Sequence, residues 1–240
     1  MNPPIYTGKT RITYYDLDQH GRIKLSALLR MVHIAADVNA NDIGCGFETL
    51  STLNMSFVLQ RFGLRILRMP IYNESVTIRT WPHSIARGTF LRQGDMYDES
   101  GEKLMEWSSL WILFDIAARK ILKPAALPVE ITGAEDQGVI VQPEKIPLNT
   151  DPGKEFSAYT HTVRYADVDT NMHMNNSIYG DLIGNALADA PPWKEVQINY
   201  LAETRLGEEI EVTAHKNDKT FLIKGHAPGR MSFSAQVQEA

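Results

Sequence analysis

Tyr14-Tyr-Asp-Leu-Asp-Gln-His-Gly-Arg-Ile-Lys24 and Tyr165-Ala-Asp-Val-Asp-Thr-Asn-Met-His-Met-Asn175 lie 151 residues apart and share a tyrosine followed by two aspartates at the same spacing. We call them the first and second repeat segments. Each is followed by apolar residues at helical spacing and then by strand-like runs. The sequence therefore predicts a duplicated α+β unit, in which one helix is followed by antiparallel strands.

The helix after the first repeat segment is predicted at about Ser26–Ile43, with Gly44 or Gly46 as its C-terminal stop. The second helix is predicted to begin near Ile178. A strand is also expected before each repeat segment, and two such units side by side would form one continuous sheet. The predicted later strands are Met55–Leu67, Ser75–His83, Thr89–Tyr97, Leu104–Asp115, Val196–Glu203, Glu209–His215, Thr220–Gly225 and Met231–Val237.

Proline and glycine enrichment predicts a linker at residues 126–155, between an N-terminal unit at 1–125 and a C-terminal unit at 156–240. No apolar run approaches the ~20 residues that span a bilayer. The N-terminal sequence lacks the layout of a signal peptide, and the single cysteine, Cys45, excludes an internal disulfide and a cysteine-based zinc cluster. A cytoplasmic location is expected.

The net charge of −5 argues against nucleic acid or an anionic membrane as a partner. Residues 49–94 nevertheless carry six arginines against Glu74 alone, which predicts a local cationic face suited to an acidic partner. The alternative is that these arginines are simply solvated on strands. The arginines are Arg61, Arg65, Arg68, Arg79, Arg87 and Arg92.

Five polar residues occupy every second position of the second repeat segment: Asp167, Asp169, Asn171, His173 and Asn175. An extended backbone would direct all five side chains to one face, beside a helix N-terminus that favours developing negative charge. His173 is the default proton carrier, Asp169 could orient its neighbours, and Asn171 could donate to an oxyanion. Alternatively, these residues only cap the helix and hold the turn.

Metal chemistry fits this row poorly. A calcium loop would need glycine and a carboxylate where the chain has Met172 and Ile178, and one histidine among scattered carboxylates is a weak zinc site. No metal and no cofactor are therefore predicted. Cys45 is distant in sequence from His173 and is interpreted as an inert core residue. Hydrolysis assisted by acid–base groups is the class of reaction that these exclusions leave.

The first repeat segment has His20, Arg22 and Lys24 at the positions of Asn171, His173 and Asn175. We interpret the first segment as scaffold and the second as the working copy.

The segment from Asp167 to Tyr179 resembles the Asp-x-Asp-x-Asn-x-His-x-Asn-Asn-x-x-Tyr motif of the acyl-acyl-carrier-protein (acyl-ACP) thioesterases. Supporting matches are Phe57–Arg61, Thr80-Trp81 and Glu102–Ile112, so the resemblance covers nearly the whole chain. It implies a double hotdog fold, with one long helix wrapped by antiparallel sheet in each half. It also implies release of free fatty acid from acyl carrier protein.

By position, the resemblance makes Asp169, Asn171, His173 and Glu203 the catalytic candidates. Plant relatives commonly have cysteine after that glutamate, whereas this chain has Thr204, so a thiolate mechanism is excluded there. Water activated by Glu203 or His173 is favoured, and direct attack by the Asp169 carboxylate stays open as a minor option.

The substrate-binding candidates fall into two sets beyond Asn175 and Asn176. Leu29, Met31 and Val32 are predicted to line the acyl pocket, although pure core packing is as good an interpretation of each. Arg61, Arg65 and Arg68 are predicted to dock the acidic carrier protein. An acyl-CoA thioesterase and a non-enzymatic acyl-thioester-binding protein are the alternative functions. The chain is expected to be a monomer or a homodimer.

Overall fold

The computed structural model describes residues 5–134, 140–148 and 151–240. The helices in these ranges are α1 (Leu25–Asp42), α2 (Phe47–Thr52) and α3 (Ile178–Ala186). None of these described helices combines the length and apolarity needed to cross a bilayer. The strands are β1 (Tyr6–Arg11), β2 (Met55–Ile66), β3 (Ser75–Ala86), β4 (Thr89–Asp98), β5 (Lys103–Asp115), β6 (Lys120–Leu122), β7 (Lys154–Thr162), β8 (Trp193–Tyr200), β9 (Glu209–Asn217), β10 (Thr220–Ala227) and β11 (Arg230–Glu239).

Within the described ranges, all eleven strands form one antiparallel sheet in the order β1-β3-β4-β5-β2-β8-β11-β10-β9-β7, with β6 paired to β5. The two halves meet where β2 pairs with β8, so that Arg61 lies opposite Asn199 and Arg65 opposite Glu195. The prediction of one continuous sheet across the duplication is confirmed, as are the strands β1 and β7 before the repeat segments.

The two halves differ in the length of their helices. α1 has 18 residues and agrees with its predicted bounds, whereas α3 has only nine. α3 ends at Ala186, shortly before Pro191 and Pro192. Proline cannot continue a helix and disfavours helical backbone in the residue before it, so the expected second long helix is confined to about half the length of the first.

The hydrophobic core lies between the helices and one face of the sheet. Trp107 and Phe233 are 0% exposed, and they belong to the same buried cluster as residues of α1 and α3. The two helices cross closely, because a Cβ atom at Gly180 would lie 2.6 Å from the backbone nitrogen of Ser26. Ser26 also donates a hydrogen bond from its hydroxyl to Asp181, which joins α1 to α3.

The backbone of the repeat segments shows the duplication directly. Each segment begins with a short 3₁₀ turn and then folds back on itself through one isolated bridge, Leu17 to Ile23 or Val168 to Met174. Three backbone hydrogen bonds then recur at equivalent positions. In the first segment, Asp18 N–H donates to Arg22, Gly21 N–H to Asp18 and Lys24 N–H to Asp16. In the second, Asp169 N–H donates to His173, Met172 N–H to Asp169 and Asn175 N–H to Asp167, in each case to the backbone carbonyl.

The prediction that the second repeat segment is extended, with five side chains on one face, is therefore wrong. The segment is a tight turn that reverses the chain between Asp169 and His173. Met172 has φ 64° in this turn, and its counterpart Gly21 has φ 74°. Left-handed backbone is typical of turns, in which glycine and short polar residues are common. The alternating polar residues of this segment therefore belong to a turn and not to a strand.

Met172 should be a strained position, because it adopts a backbone conformation that glycine adopts freely. We expect Met172→Gly to raise the free energy of unfolding by about 1 kcal/mol. The matched control, Gly21→Met, should lower it by a similar amount. Chemical denaturation of both variants checks this, and a Met172→Gly variant less stable than the wild type would contradict it.

The predicted linker is better described as a strap across the sheet face that the helices leave uncovered. The buried side chain of Asn199 accepts a hydrogen bond from the Ile146 N–H at 3.0 Å and donates to the Glu144 carbonyl at 2.9 Å. Val141 packs at Gly63 on the same face. Residues 135–139 and 149–150 of the predicted linker lie outside the described residues, and β7 already begins at Lys154.

Candidate active site

The second repeat segment is organised around the carboxylate of Asp169. Its Oδ1 accepts the backbone N–H of Asn171 at 2.8 Å, and its Oδ2 accepts the side-chain amide of Asn175 at 3.4 Å. The side-chain amide of Asn171 makes no hydrogen bond within the described residues, and it lines a cavity beside the segment. Asp169 therefore holds the turn that presents Asn171 as an unoccupied N–H donor.

His173 lies in a charged network that reaches across the sheet. Its Nε2 is 2.8 Å from Oε2 of Glu203, whose Oε1 accepts Arg119 at 2.8 Å and Arg205 at 2.9 Å. Burial alone would raise the pKa of Glu203, but Arg119, His173 and Arg205 outweigh it and lower that pKa below 4.5. The carboxylate is thus ionised at neutral pH and holds the imidazole in place.

An ionised Glu203 also selects the tautomer of His173. Since Oε2 can only accept, Nε2 carries the proton and Nδ1 carries the lone pair. Both oxygens of Glu203 already bind donors, so Glu203 is a better orienting group than a proton acceptor. His173 is then the group with a basic nitrogen left for a water molecule.

The lowered pKa of Glu203 has a consequence for stability. A carboxylate with a depressed pKa stabilises the fold above its unfolded value, 4.5, and loses that contribution as the pH falls through the folded value. We expect the difference in unfolding free energy between wild type and Glu203→Gln to shrink below pH 4.5. The control is Glu99→Gln, which removes an exposed carboxylate outside this network. A constant difference for Glu203→Gln would contradict the ionised network.

Two other polar positions of the row have structural partners. Asp167 accepts the N–H of Arg164 at 2.8 Å and lies 2.9 Å from Nε2 of His161. Asn175 accepts both the N–H and the hydroxyl of Ser177 through Oδ1, at 2.9 and 2.7 Å, at the start of α3. These contacts hold the turn that leads into α3.

Thr204 lies behind the site rather than in it. It is 0% exposed and its hydroxyl lies 2.7 Å from that of Ser232 and 3.2 Å from that of Tyr179. The position after Glu203 is therefore filled by a buried, hydrogen-bonded hydroxyl.

The first repeat segment keeps the turn but not the chemistry. Arg22, at the position of His173, donates from Nε to Asp18 at 3.0 Å and from Nη1 to the Ala190 carbonyl at 3.1 Å. The guanidinium joins Asp18 of this segment to Ala190 of the other half and offers no neutral base.

A cavity of about 430 Å³ extends from the second repeat segment along the last turns of α1. Asn171, Asn175 and Asn176 line it at one end, while Asp169, His173 and Glu203 do not. Most of the wall comes from α2 and from strands β2 to β5. Its apolar residues are Ala36, Ala40, Cys45, Phe47, Leu50, Met55, Phe57, Pro82, Ile85, Phe90, Leu91, Trp111 and Ile131.

The residues predicted to line the acyl pocket lie elsewhere on α1. Leu29 and Val32 are buried in the core, and Met31 packs against it. The cavity instead borders the helix face that carries His33 and Ala36. The acyl-pocket prediction for Leu29, Met31 and Val32 therefore needs correction: the apolar stripe of an amphipathic helix serves the core, so helical periodicity alone does not locate the cavity face.

The three arginines predicted to dock the carrier do not form a free cationic surface. Arg65 pairs with Glu106 and Glu195, both at 3.1 Å. Arg68 pairs with Glu74 at 2.6 Å, and also with Asp98 and Glu102. Arg61 has no ion pair within the described residues, but it lies opposite Asn199, which the strap covers. Carboxylates outside residues 49–94 thus pair with three of the six arginines, Arg65, Arg68 and Arg79.

Sequence reasoning missed several residues of this region. Arg119 and Arg205 carried no motif, although Arg205 is two residues from Glu203. The cavity-wall residues His83 and Arg92 lie in ordinary strand sequence. The described residues contain no group of three or more histidine, cysteine, aspartate and glutamate side chains that could hold a metal ion.

A helix wrapped by antiparallel sheet, repeated in tandem along one chain, defines the double hotdog class. Residues 3–131 match the acyl-ACP thioesterase N-terminal domain, and residues 150–235 match the acyl-ACP thioesterase C-terminal domain. The chain belongs to the acyl-ACP thioesterase family.

Solved structures agree with this fold. An acyl-ACP thioesterase from Bacteroides thetaiotaomicron is 22% identical, with a TM-score of 0.82 over 98% of this chain and 97% of that one. The 12:0-ACP thioesterase from Umbellularia californica is 16% identical, with a TM-score of 0.79 over 99% and 98%. At these identities the likeness establishes the fold alone.

Curated relatives are plant proteins of greater length. The chloroplastic oleoyl-acyl carrier protein thioesterase 1 of Arabidopsis thaliana is 24% identical over 86% of this chain and 62% of its own length. The chloroplastic palmitoyl-acyl carrier protein thioesterase of the same plant is 25% identical over 62% of this chain and 37% of its own length. The chain therefore spans less than two thirds of the length of these relatives.

Proposed function

We propose that the chain hydrolyses the thioester of a fatty acyl group carried on acyl carrier protein, which releases free fatty acid and ends chain elongation. The observation that carries this proposal is the contact of Glu203 with His173, in the same turn as Asn171, which lines one end of a largely apolar cavity. An acyl chain suits that cavity, whose volume falls in the range of ligand pockets. No metal and no cofactor enter the proposed reaction.

In the proposed reaction, Nδ1 of His173 takes a proton from water as the water oxygen attacks the thioester carbon. The amide of Asn171 donates to the carbonyl oxygen as it becomes an oxyanion. The carbon–sulfur bond then breaks, and the proton passes from His173 to the leaving sulfur, which yields carboxylic acid and thiol. Attack by Asp169 is disfavoured, since both its oxygens accept hydrogen bonds within the turn.

Incubation with acyl-carrier substrates of graded chain length tests the proposal. Release of free fatty acid and carrier thiol in equal amounts is the expected result. The same acyl groups on coenzyme A separate the alternatives: a higher kcat/KM on coenzyme A would move the chain to the acyl-CoA thioesterases. Binding of acyl thioesters without any release would indicate a non-enzymatic sensor.

For carrier docking, we propose Lys120 and Lys123 in place of Arg65 and Arg68. Both lysines are exposed, and they flank β6 immediately after Arg119, close to the charged network. They are suitably placed to meet an acidic carrier while its acyl arm reaches the site.

Reversing both charges, Lys120→Glu with Lys123→Glu, should lower kcat/KM on carrier substrate about tenfold at low salt, with less effect at high salt. The rate on the matched acyl-pantetheine should not change. Arg61→Glu is the control on the strap-covered face. An equal loss on both substrates, or a larger loss in Arg61→Glu, would contradict this docking surface.

A carrier-borne substrate favours the cytoplasm as the location. A monomer or a homodimer both agree with the proposal, because one chain already contains the paired units.

A further inference from the structure

Arg92 is an unusual member of the cavity wall. It lies on β4 next to Leu91, which also lines the cavity, and it is partly buried. Burial lowers its pKa to about 10, so the guanidinium remains protonated at neutral pH. It makes no ion pair within the described residues. A buried charge without a counter-ion is costly unless something else satisfies it.

The hydrogen bonds of Arg92 use only one of its terminal nitrogens. Nη1 donates to Oδ1 of Asn39 at 2.7 Å and to the hydroxyl of Thr80 at 3.4 Å. Nε and Nη2 make no hydrogen bond within the described residues. These two nitrogens form the edge of a guanidinium that binds oxygen acceptors side by side.

Arg92 has a polar neighbour in the cavity wall. His83 is the extra residue of a β-bulge in β3, directly after Pro82, which pairs with Arg92, and it lines the same cavity. It is 6% exposed and its Nε2 has no hydrogen-bond partner within the described residues. Bulges re-aim side chains, so this irregularity contributes to the polar patch. Asp37 is the cavity's carboxylate, but it is exposed and does not pair with Arg92.

The sheet order gives the position of this patch relative to the proposed chemistry. β4 lies two strands from β2 and three from β8, the strand that leads to Glu203. At the usual strand spacing, β4 is then ~10 Å from β2 and ~15 Å from β8, and Arg92 lines the same cavity as Asn171 and Asn175. A group bound by Arg92 would be several carbons from the thioester.

The geometry points to an acyl chain that carries an oxygen acceptor, such as a hydroxyl, a keto or a carboxylate group, well away from its thioester, held by the Nε and Nη2 edge of Arg92. This inference rests on the proposed function. A plain alkyl tail would leave the Nε–H and Nη2–H groups without water and without an acceptor, whereas an oxygen substituent would accept hydrogen bonds from them.

The test uses acyl-pantetheine thioesters of one chain length that carry a terminal methyl, hydroxyl or carboxylate group, or a hydroxyl next to the thioester end. Wild type should favour the distal oxygen over the methyl by roughly tenfold to a hundredfold in kcat/KM. Arg92→Met should reverse this preference, and Arg92→Lys should restore part of it. Equal or better rates of wild type on the methyl substrate would overturn the inference, as would an equal loss on all substrates in Arg92→Met.

A measurement without hydrolysis separates this inference from the proposed function. The thermal shift of wild type is recorded with the corresponding free acids, hydroxy acids and diacids. A larger shift for a distal oxygen supports the inference even if no thioester is cleaved, whereas equal shifts overturn it. If alkyl thioesters are cleaved with no preference for a distal oxygen, the proposed function is supported and the inference about Arg92 is contradicted.

Discussion

His173→Ala is expected to lower kcat on acyl-carrier substrate by about 10²–10⁴-fold, with a smaller effect on KM. The substitution removes the basic nitrogen that Glu203 orients, while the cavity that holds the acyl chain stays in place. Measurement of steady-state thiol release, supported by an unfolding curve to show that the variant folds, checks this expectation.

The structure offers a matched control in the same half of the chain. His161 also pairs with a carboxylate, Asp167, at 2.9 Å, and its side chain has a similar exposure, 24% against 28% for His173. His161→Ala should therefore leave kcat within a few-fold of wild type. Equal losses in the two variants would mean that both histidines act through stability alone.

Asp169→Ala should give the second large effect, a loss of about 10²–10³ in kcat. Asp169 does not need to touch the substrate for this result. Its two oxygens hold Asn171 and Asn175, and a displacement of about 1 Å in an oxyanion donor is enough to reduce the rate a hundredfold. Asp169→Asn should retain more activity than the alanine variant, because the amide oxygen can still accept from Asn171.

Asp18 is the control for a purely structural role. It occupies the equivalent position in the first repeat segment, and its Oδ1 accepts the N–H groups of His20 and Arg22 at 2.8 and 2.9 Å. Asp18→Ala should destabilise the fold by a similar amount to Asp169→Ala but leave kcat nearly unchanged. A comparable loss of kcat in Asp18→Ala would assign the Asp169 effect to the turn and not to the presentation of Asn171.

The fold was largely predictable because its signals are local and occur twice. The two repeat segments, the apolar stripe after each and the turn-bounded strands predicted α1, the β-strands and their joining into one sheet. The second helix proved short because Pro191 and Pro192 follow it closely. The turn in the second repeat segment could not be predicted, because left-handed backbone at a methionine such as Met172 has no clear signal in sequence.

The site was predictable only in part. The family resemblance named Glu203 and His173 as separate catalytic candidates, and the structure places the two side chains in contact. The contribution of Arg119 comes from the other half of the chain, 84 residues away. The cavity face of α1 and the ion pairs of Arg65 and Arg68 depend on which strands become neighbours, and local patterns do not specify this.

The central claim is that the second repeat segment performs the chemistry while the first only supports the fold. The most direct test compares kcat/KM on acyl-carrier substrate for His173→Ala and Arg22→Ala, which alter equivalent positions of the two segments. We predict a loss of at least about 10²-fold for His173→Ala and a change of only a few-fold for Arg22→Ala. Equal losses in both variants, or wild-type activity in His173→Ala, would contradict the claim.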